Sequence, residues 1–175
     1  MKKIFLLIAV ALVIVITFSF LSTDNYAINA DSFKKQLLDR HNFHRYVHAA
    51  PPLVWNDTIA NYAQEWAEKN ARANRMFHRT AHKYGENIYM MSGGTPTGNQ
   101  VVDSWYSEIK YYNFNRPGFG YNTGHFTQVV WKSTKQLGCG WANSSNGGIY
   151  VVCNYSPAGN ITNPGRFAAN VLRGR

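Results

Sequence analysis

Apolar positions recur near helical spacing through DSFKKQLLDRHNFHRYVHA (residues 31–49). Phe33, Leu37, Leu38, His41, His44, Tyr46 and Val47 fall close to one stripe and predict an amphipathic helix. Ala50-Pro51-Pro52 ends it, because a residue before proline is pushed out of the helical region. A second helix is predicted from a cap at Asn56 or Asp57 to about Arg72, with Ile59, Ala63, Trp66 and Ala67 on its buried face. Ile88–Met91 has the pattern of a short strand, followed by a loop at Gly93-Gly94 and Pro96. A third helix is expected from Thr97 or Gly98 to about Ile109, burying Val101, Val102, Trp105 and Ile109. After an aromatic, Gly/Pro-bearing loop over 111–123, LGCGWA (137–142) and GIYVVCNY (148–155) read as antiparallel strands joined by SSNG. The segment between, GHFTQVVW (124–131), fits neither a solvated loop nor a plain core strand. From Ser156 the chain reads as mostly irregular. Helices flanking an antiparallel sheet make an α+β fold.

The first 30 residues stand apart from this pattern. Lys2 and Lys3 precede an uncharged, mostly apolar run from Ile4 to Leu21, which reads as a secretory signal. The run approaches the length that spans a bilayer, so an uncleaved signal anchor is the alternative. Ala27 and Ala30 offer small residues for cleavage without completing an A-x-A site. Residues 31–175 then suit one domain, monomeric by default.

Composition adds two points. Aromatic residues make up 15% of the chain, enough to pack a core and leave rings for recognition. Without residues 1–30 the chain keeps 16 basic and 8 acidic residues. That balance suits acidic partners such as an anionic membrane surface or acidic glycans. Secretion argues against nucleic acid. The cations are scattered, with no block of like charge, which is also the pattern of a generally basic, solvated surface. Secretion further makes the sequons at Asn56, Asn143 and Asn160 candidate glycan acceptors. The two cysteines, Cys139 and Cys153, are expected to pair in an oxidising compartment.

Two of the acids sit in unusual company. Glu86 lies in GENI, between a glycine and the strand, and Glu108 lies in SWYSEI, one turn from Trp105. Singly, each reads as a surface carboxylate. Together with HNFHR (41–45), GHFTQVVWKST (124–134) and YVVCNYSPAGNI (150–161), in that order, they change the picture. From about Phe33 to Leu172 the chain resembles the CAP superfamily of cysteine-rich secretory, antigen 5 and pathogenesis-related proteins. Its WYSEIKYYNF and GHFT segments look closest to the Golgi-associated plant pathogenesis-related branch and to fungal secreted members.

The resemblance implies a three-layer α-β-α sandwich around a cleft tetrad of two histidines and two glutamates. Glu86 matches the GEN glutamate, Glu108 that of WYSE, and His125 the histidine of GHF. The second histidine is His78 or His82. His78 is preferred for its eight-residue lead over Glu86 and the apolar pair before it. His41 of the HNxxR motif is expected to be structural, with Arg45 pairing a carboxylate. Gly124 is expected to permit a tight turn that points His125 into the cleft. His78 and His125 are the candidate ligands for a weakly held, exchangeable Zn2+, with the glutamates acting through water or hydrogen bonds. Many family members carry three or more disulfides, and this chain can make one.

Three functions follow. The first is a secreted binding module for sterols or other lipids, since fungal members are associated with sterol export through an aromatic loop. Here that loop carries Tyr112, Phe114 and Phe119. Its rings either offer apolar area to a flat ligand or simply cover the sheet. The second is a metal-assisted, peptidase-like hydrolase with Glu86 or Glu108 as general base. No HExxH or GxSxG supports it. The third is a defence or virulence effector acting through a protein partner.

Overall fold

The computed structural model describes residues 28–175. The signal or anchor expected over 1–30 lies outside the described residues as far as position 27. Its expected boundary falls within the first helix, α1 (Ala30–Val47), whose N-cap Asn29 accepts a hydrogen bond from the Ser32 amide. Among the described residues no helix is long and apolar enough to cross a membrane.

After α1 come β1 (Val54–Trp55), α2 (Asp57–Arg72), β2 (Gly85–Ser92) and α3 (Gly98–Tyr106). A 3-10 turn (Ser107–Tyr111) leads to α4 (Gly124–Val130), β3 (Gln136–Asn143), β4 (Gly148–Ser156) and α5 (Arg166–Asn170). The sheet runs β1-β3-β4-β2. Strands β3, β4 and β2 are antiparallel, and β1 adds a parallel edge through Val54↔Gln136 and Trp55↔Leu137. Two residues are too few to show a strand period, so β1 left no mark in the pattern. Helix α2 packs on β3 and β4 from one side, and α1, α3 and α4 form the layer on the other. The fold is the three-layer α-β-α sandwich.

The α2 layer sits very close to the sheet because two β3 residues have no side chain. A Cβ at Gly138 would stand 2.2 Å from the Ala60 amide nitrogen, and one at Gly140 would stand 2.3 Å from the Gln64 Cα. Helix α2 answers with small residues, Ala63 and Ala67, both fully buried. On β3's other face Leu137 and Cys139 join the main core with Phe33, Leu37, Val101, Trp105 and Phe126. Cys139 lies directly opposite Cys153 in the register and is disulfide-bonded to it, with Cα atoms 4.1 Å apart.

Helix α3 opens with a capping box, Thr97 and Gln100 each bonding the other's backbone amide. It tightens at Ser107, two residues before the helical pattern runs out at Ile109. There the Ser107 hydroxyl donates to the Ser104 carbonyl at 2.7 Å, a local bond that competes with the helix ladder. Helices α4 and α5, seven and five residues long, are too short for periodicity to announce.

Arg45 departs most from expectation. It pairs with no carboxylate among the described residues. Its guanidinium is fully buried and donates to four backbone carbonyls: Pro51 (2.8 Å), Val129 (3.0 Å), Trp131 (2.9 Å) and Thr134 (2.8 Å). Burial pushes its pKa down to about 10, so the group stays charged at neutral pH. Val129 and Trp131 form the C-terminal end of α4, where unpaired carbonyls and the negative end of the helix dipole favour a cation. Replacing Arg45 by Ala is expected to cost about 3–5 kcal/mol, because several buried carbonyls lose their donors together. Arg45→Lys should restore only part, since an ammonium lacks the planar fork. Urea unfolding checks this, and a loss for Arg45→Ala below about 1 kcal/mol would mean that the carbonyls find other donors.

Candidate functional site

Helix α4 brings His125 to the cleft, and Glu108 decides where that helix starts. Its N-cap, Thr123, makes no side-chain capping bond. Instead one oxygen of Glu108, reaching from the 3-10 turn, accepts the backbone N–H groups of His125 (2.9 Å) and Phe126 (3.1 Å). The other oxygen holds the His125 ring through Nδ1 at 2.8 Å. Gly124 is helical rather than a turn residue. Its lack of a side chain lets the Phe119 ring close in, since a Cβ there would stand 3.2 Å from Phe119 Cε2.

Across the cleft, Glu86 near the start of β2 is buried, its side chain 3% exposed. It accepts from His78 Nδ1 (2.9 Å), the Arg79 amide (3.1 Å) and Asn154 Nδ2 (3.4 Å). Burial alone raises both carboxyl groups, and the hydrogen bonds outweigh it. His78, the Arg79 amide and Asn154 bring Glu86 below the usual range. The His125 ring and the two α4 amides do the same for Glu108. Both glutamates are therefore ionised acceptors at neutral pH. Each neutral histidine must then carry its proton on Nδ1, leaving Nε2 as a lone pair without a protein partner among the described residues.

Between these pairs lies a cavity of about 500 Å³ lined by His78, Tyr84, Glu86, Phe119, Tyr121 and His125. His82 lines it too, exposed and without a hydrogen bond to Glu86, whereas His78 makes that bond. A histidine whose Nδ1–H faces a carboxylate has the outer partner typical of metal-ligating imidazoles, and His78 and His125 each have one. No cluster of three His, Cys, Asp or Glu side chains stands among the described residues, so the pair falls short of a three-ligand catalytic centre.

Several residues that shape the cleft carried no signal of their own. Gln128 is buried, and a Cβ at Gly85 or Gly159 would stand 2.1 or 2.7 Å from its amide atoms. The glycines of GENI and PAGN therefore close on one side chain, whose Oε1 accepts the Gly159 amide at 3.0 Å. Asn87 donates to the His125 carbonyl and to Tyr155 Oη, both at 3.1 Å. Tyr155 Oη in turn meets His41 Nε2 at 2.8 Å, and His41 Nδ1 donates to the Leu37 carbonyl at 2.7 Å. The HNxxR histidine thus braces the cleft from beneath, through Tyr155 and Asn87.

The aromatic loop divides. Tyr112 is 8% exposed, and Phe114 is half-buried against the core. Both rings pack on Phe126, because the 3-10 turn folds the loop back over α4. They cover the fold rather than offering surface to a ligand. Phe119 is 47% exposed and Tyr121 is 97% exposed, both beside the cavity. The sequons divide as well. Asn143 is exposed. Asn56 caps α2, and Asn160 is tied to Thr127 Oγ1 and the Gly124 carbonyl, so both amides are committed to the fold.

A CAP fold with a paired His–Glu cleft places the chain. The profile of the cysteine-rich secretory protein family, CAP, matches residues 38–155, and the chain belongs to that family. The Golgi-associated plant pathogenesis-related protein 1 of Homo sapiens is 43% identical over 143 residues, 80% of this chain and 92% of that protein. Secreted protein RBT4 of Candida albicans is 37% identical over 166 residues, 87% of this chain but 44% of that protein, so the chain spans less than half of this relative. Among solved structures, NaASP2 with Zn2+ superposes with a TM-score of 0.62 at 23% identity, over 83% of this chain and 87% of that one. At that identity the likeness concerns the fold.

The buried histidines set the acid stability. Burial brings the His41 pKa from 6.5 down to about 3, outweighing the Leu37 carbonyl, and it lowers His44 and His48 as well. Between those limits the unfolded chain binds a proton at His41 that the native state refuses. For His41 the stabilisation is complete above pH 6.5 and declines by about 1.4 kcal/mol per pH unit below it, and His44 and His48 act in the same direction. Glu86 and Glu108 act in the same direction at lower pH, because their folded pKa values are depressed. Urea midpoints at pH 7, 6 and 5 should therefore fall steadily, and less steeply in His41→Gln. A flat profile over that range would contradict the buried neutral state.

Proposed function

We propose that this protein is a secreted binding module whose cleft takes a sterol or another lipid at its aromatic edge. His78 and His125 hold a divalent zinc weakly at its floor. The observation that carries the binding reading is the state of the two glutamates. A general base for hydrolysis works best with a pKa near the working pH. Glu86 and Glu108 are instead held below the ordinary carboxylate range by fixed donors, which suits them to orienting imidazoles. The cavity, about 500 Å³, is within the range of pockets for small ligands. The apolar contact falls to Phe119 and Tyr121, next to the cavity, rather than to Tyr112 and Phe114. The secreted Candida albicans relative is consistent with this reading.

Two experiments test it. The double change Phe119→Ala, Tyr121→Ala should reduce binding of a labelled sterol at least about tenfold, each ring contributing up to about 1.5 kcal/mol. By contrast, Tyr112→Ala should cost about 3–5 kcal/mol of stability, as a buried ring does. If Glu86→Gln and Glu108→Gln silence a hydrolytic activity while sterol binding proves absent, the binding reading fails. For the metal, calorimetry with Zn2+ alone should detect weak binding that is lost in His78→Ala, His125→Ala and weakens in acid, because only neutral imidazole ligates. Retention of zinc by that variant would move the site to His82.

A further inference from the structure

Charge is divided along the chain. Residues 28–108 contain all eight Asp and Glu of the described residues, while residues 109–175 contain seven Lys and Arg and no acid. In the first part the cations on α1 and α2 are mostly answered. Lys34 meets Asp57, Lys35 meets Asp39, Arg40 meets Asp103, Lys69 meets Glu65 and Arg72 meets Glu68. In the second part no Lys or Arg has a carboxylate partner among the described residues. All seven of these cations are exposed.

Tertiary contacts gather most of them around the C-terminal segment. The Arg173 guanidinium donates to Asn115 Oδ1 at 3.1 Å, beside Arg116, and lies over the Phe114 ring. The Lys132 amide donates to the Asn170 carbonyl at 3.0 Å. Phe167, next to Arg166, packs on both Trp131 and Phe119. Through Phe119 this surface runs into the cleft edge, where Tyr121 stands almost free of the protein.

We propose that this face docks the protein on an anionic lipid surface, with Phe119 and Tyr121 entering the headgroup layer and the mouth of the cleft turned toward the membrane. Cations alone would fit any polyanion. The exposed rings among them, Tyr111, Phe119 and Tyr121, fit a boundary that is charged outside and apolar within. The inference rests on charge placement and not on the identity of the cleft ligand, so its test uses vesicles without sterol.

Co-sedimentation with phosphatidylcholine vesicles, with and without about 30% phosphatidylserine, measures the partition coefficient. Each basic residue near such a surface contributes about fivefold, so Arg116→Glu, Arg166→Glu, Arg173→Glu together should lower partition onto the anionic vesicles by about 100-fold or more. The control Lys35→Glu, Lys69→Glu, Arg72→Glu changes the net charge equally on the α1 and α2 surfaces and should lower it far less. Equal losses in the two variants would mean that net charge alone drives association, and the assigned face would be wrong. The wild-type protein gives an independent check should the first variant misfold. Its preference for phosphatidylserine should disappear at about 0.5 M salt, where the screening length falls to a few ångströms. No preference at low salt, or one that survives high salt, overturns the proposal.

Discussion

The cleft depends on a seven-residue helix held by opposite charges at its two ends. A helix as short as α4 has few internal hydrogen bonds relative to its unpaired terminal groups, and by itself it would not persist in water. The Glu108 carboxylate binds the amides at the N-terminal end, and the Arg45 guanidinium binds carbonyls at the C-terminal end. Both charges lie in the favourable direction of the helix dipole. They are never in contact with each other, so neither forms an ion pair in the usual sense. The helix between them is their shared partner. This explains how a buried arginine without a carboxylate is tolerated. Four carbonyl oxygens replace its hydration, and the helix end supplies the negative potential.

The same carboxylate that caps α4 also orients the His125 ring, so the position of the helix and the tautomer of its histidine are set by one side chain. Glu86 performs a parallel task for His78 from the rigid start of β2, where it is paired in register with Asn154. Beneath them, the Asn87–Tyr155–His41 chain ties the backbone of His125 to α1. The cleft is thus built from fixed donors and acceptors with few free ionisable groups, an arrangement suited to presenting two imidazole lone pairs and an aromatic edge. Close approach of the layers makes this rigidity available with only one disulfide. Gly138 and Gly140 let α2 sit on the sheet backbone, and Gly85 at the start of β2 and Gly159 in the segment after β4 let the chain close on Gln128.

Much of this was legible along the chain. Long amphipathic stretches give α1, α2 and α3 because their buried faces repeat often enough to show a period, and Asn56 and Thr97 mark their starts by a capping chemistry that is local. The β3–β4 hairpin and its cysteine pair are also local, the two cysteines standing 14 positions apart. Glu86, Glu108 and His125 could be named from ordered short motifs. The preference for His78 over His82 rests on spacing and the apolar pair before it, and the folded chain sets His78 Nδ1 against Glu86.

Much of what lay beyond the sequence depends on where the folded chain brings side chains together rather than on any local pattern. Arg45 reaches carbonyls 84 to 89 positions away, and nothing near it in sequence says that they, rather than a carboxylate, will be its partners. Tyr112 and Phe114 have the composition of displayed rings, yet the 3-10 turn at Ser107 lays them on Phe126, while Phe119 and Tyr121 a few residues later remain in the open. Hydrophobicity by itself determined that these rings would seek apolar surface. Whether that surface is the protein's own core or something outside it was decided by where the turn leaves each Cα, which is a property of the tertiary structure alone.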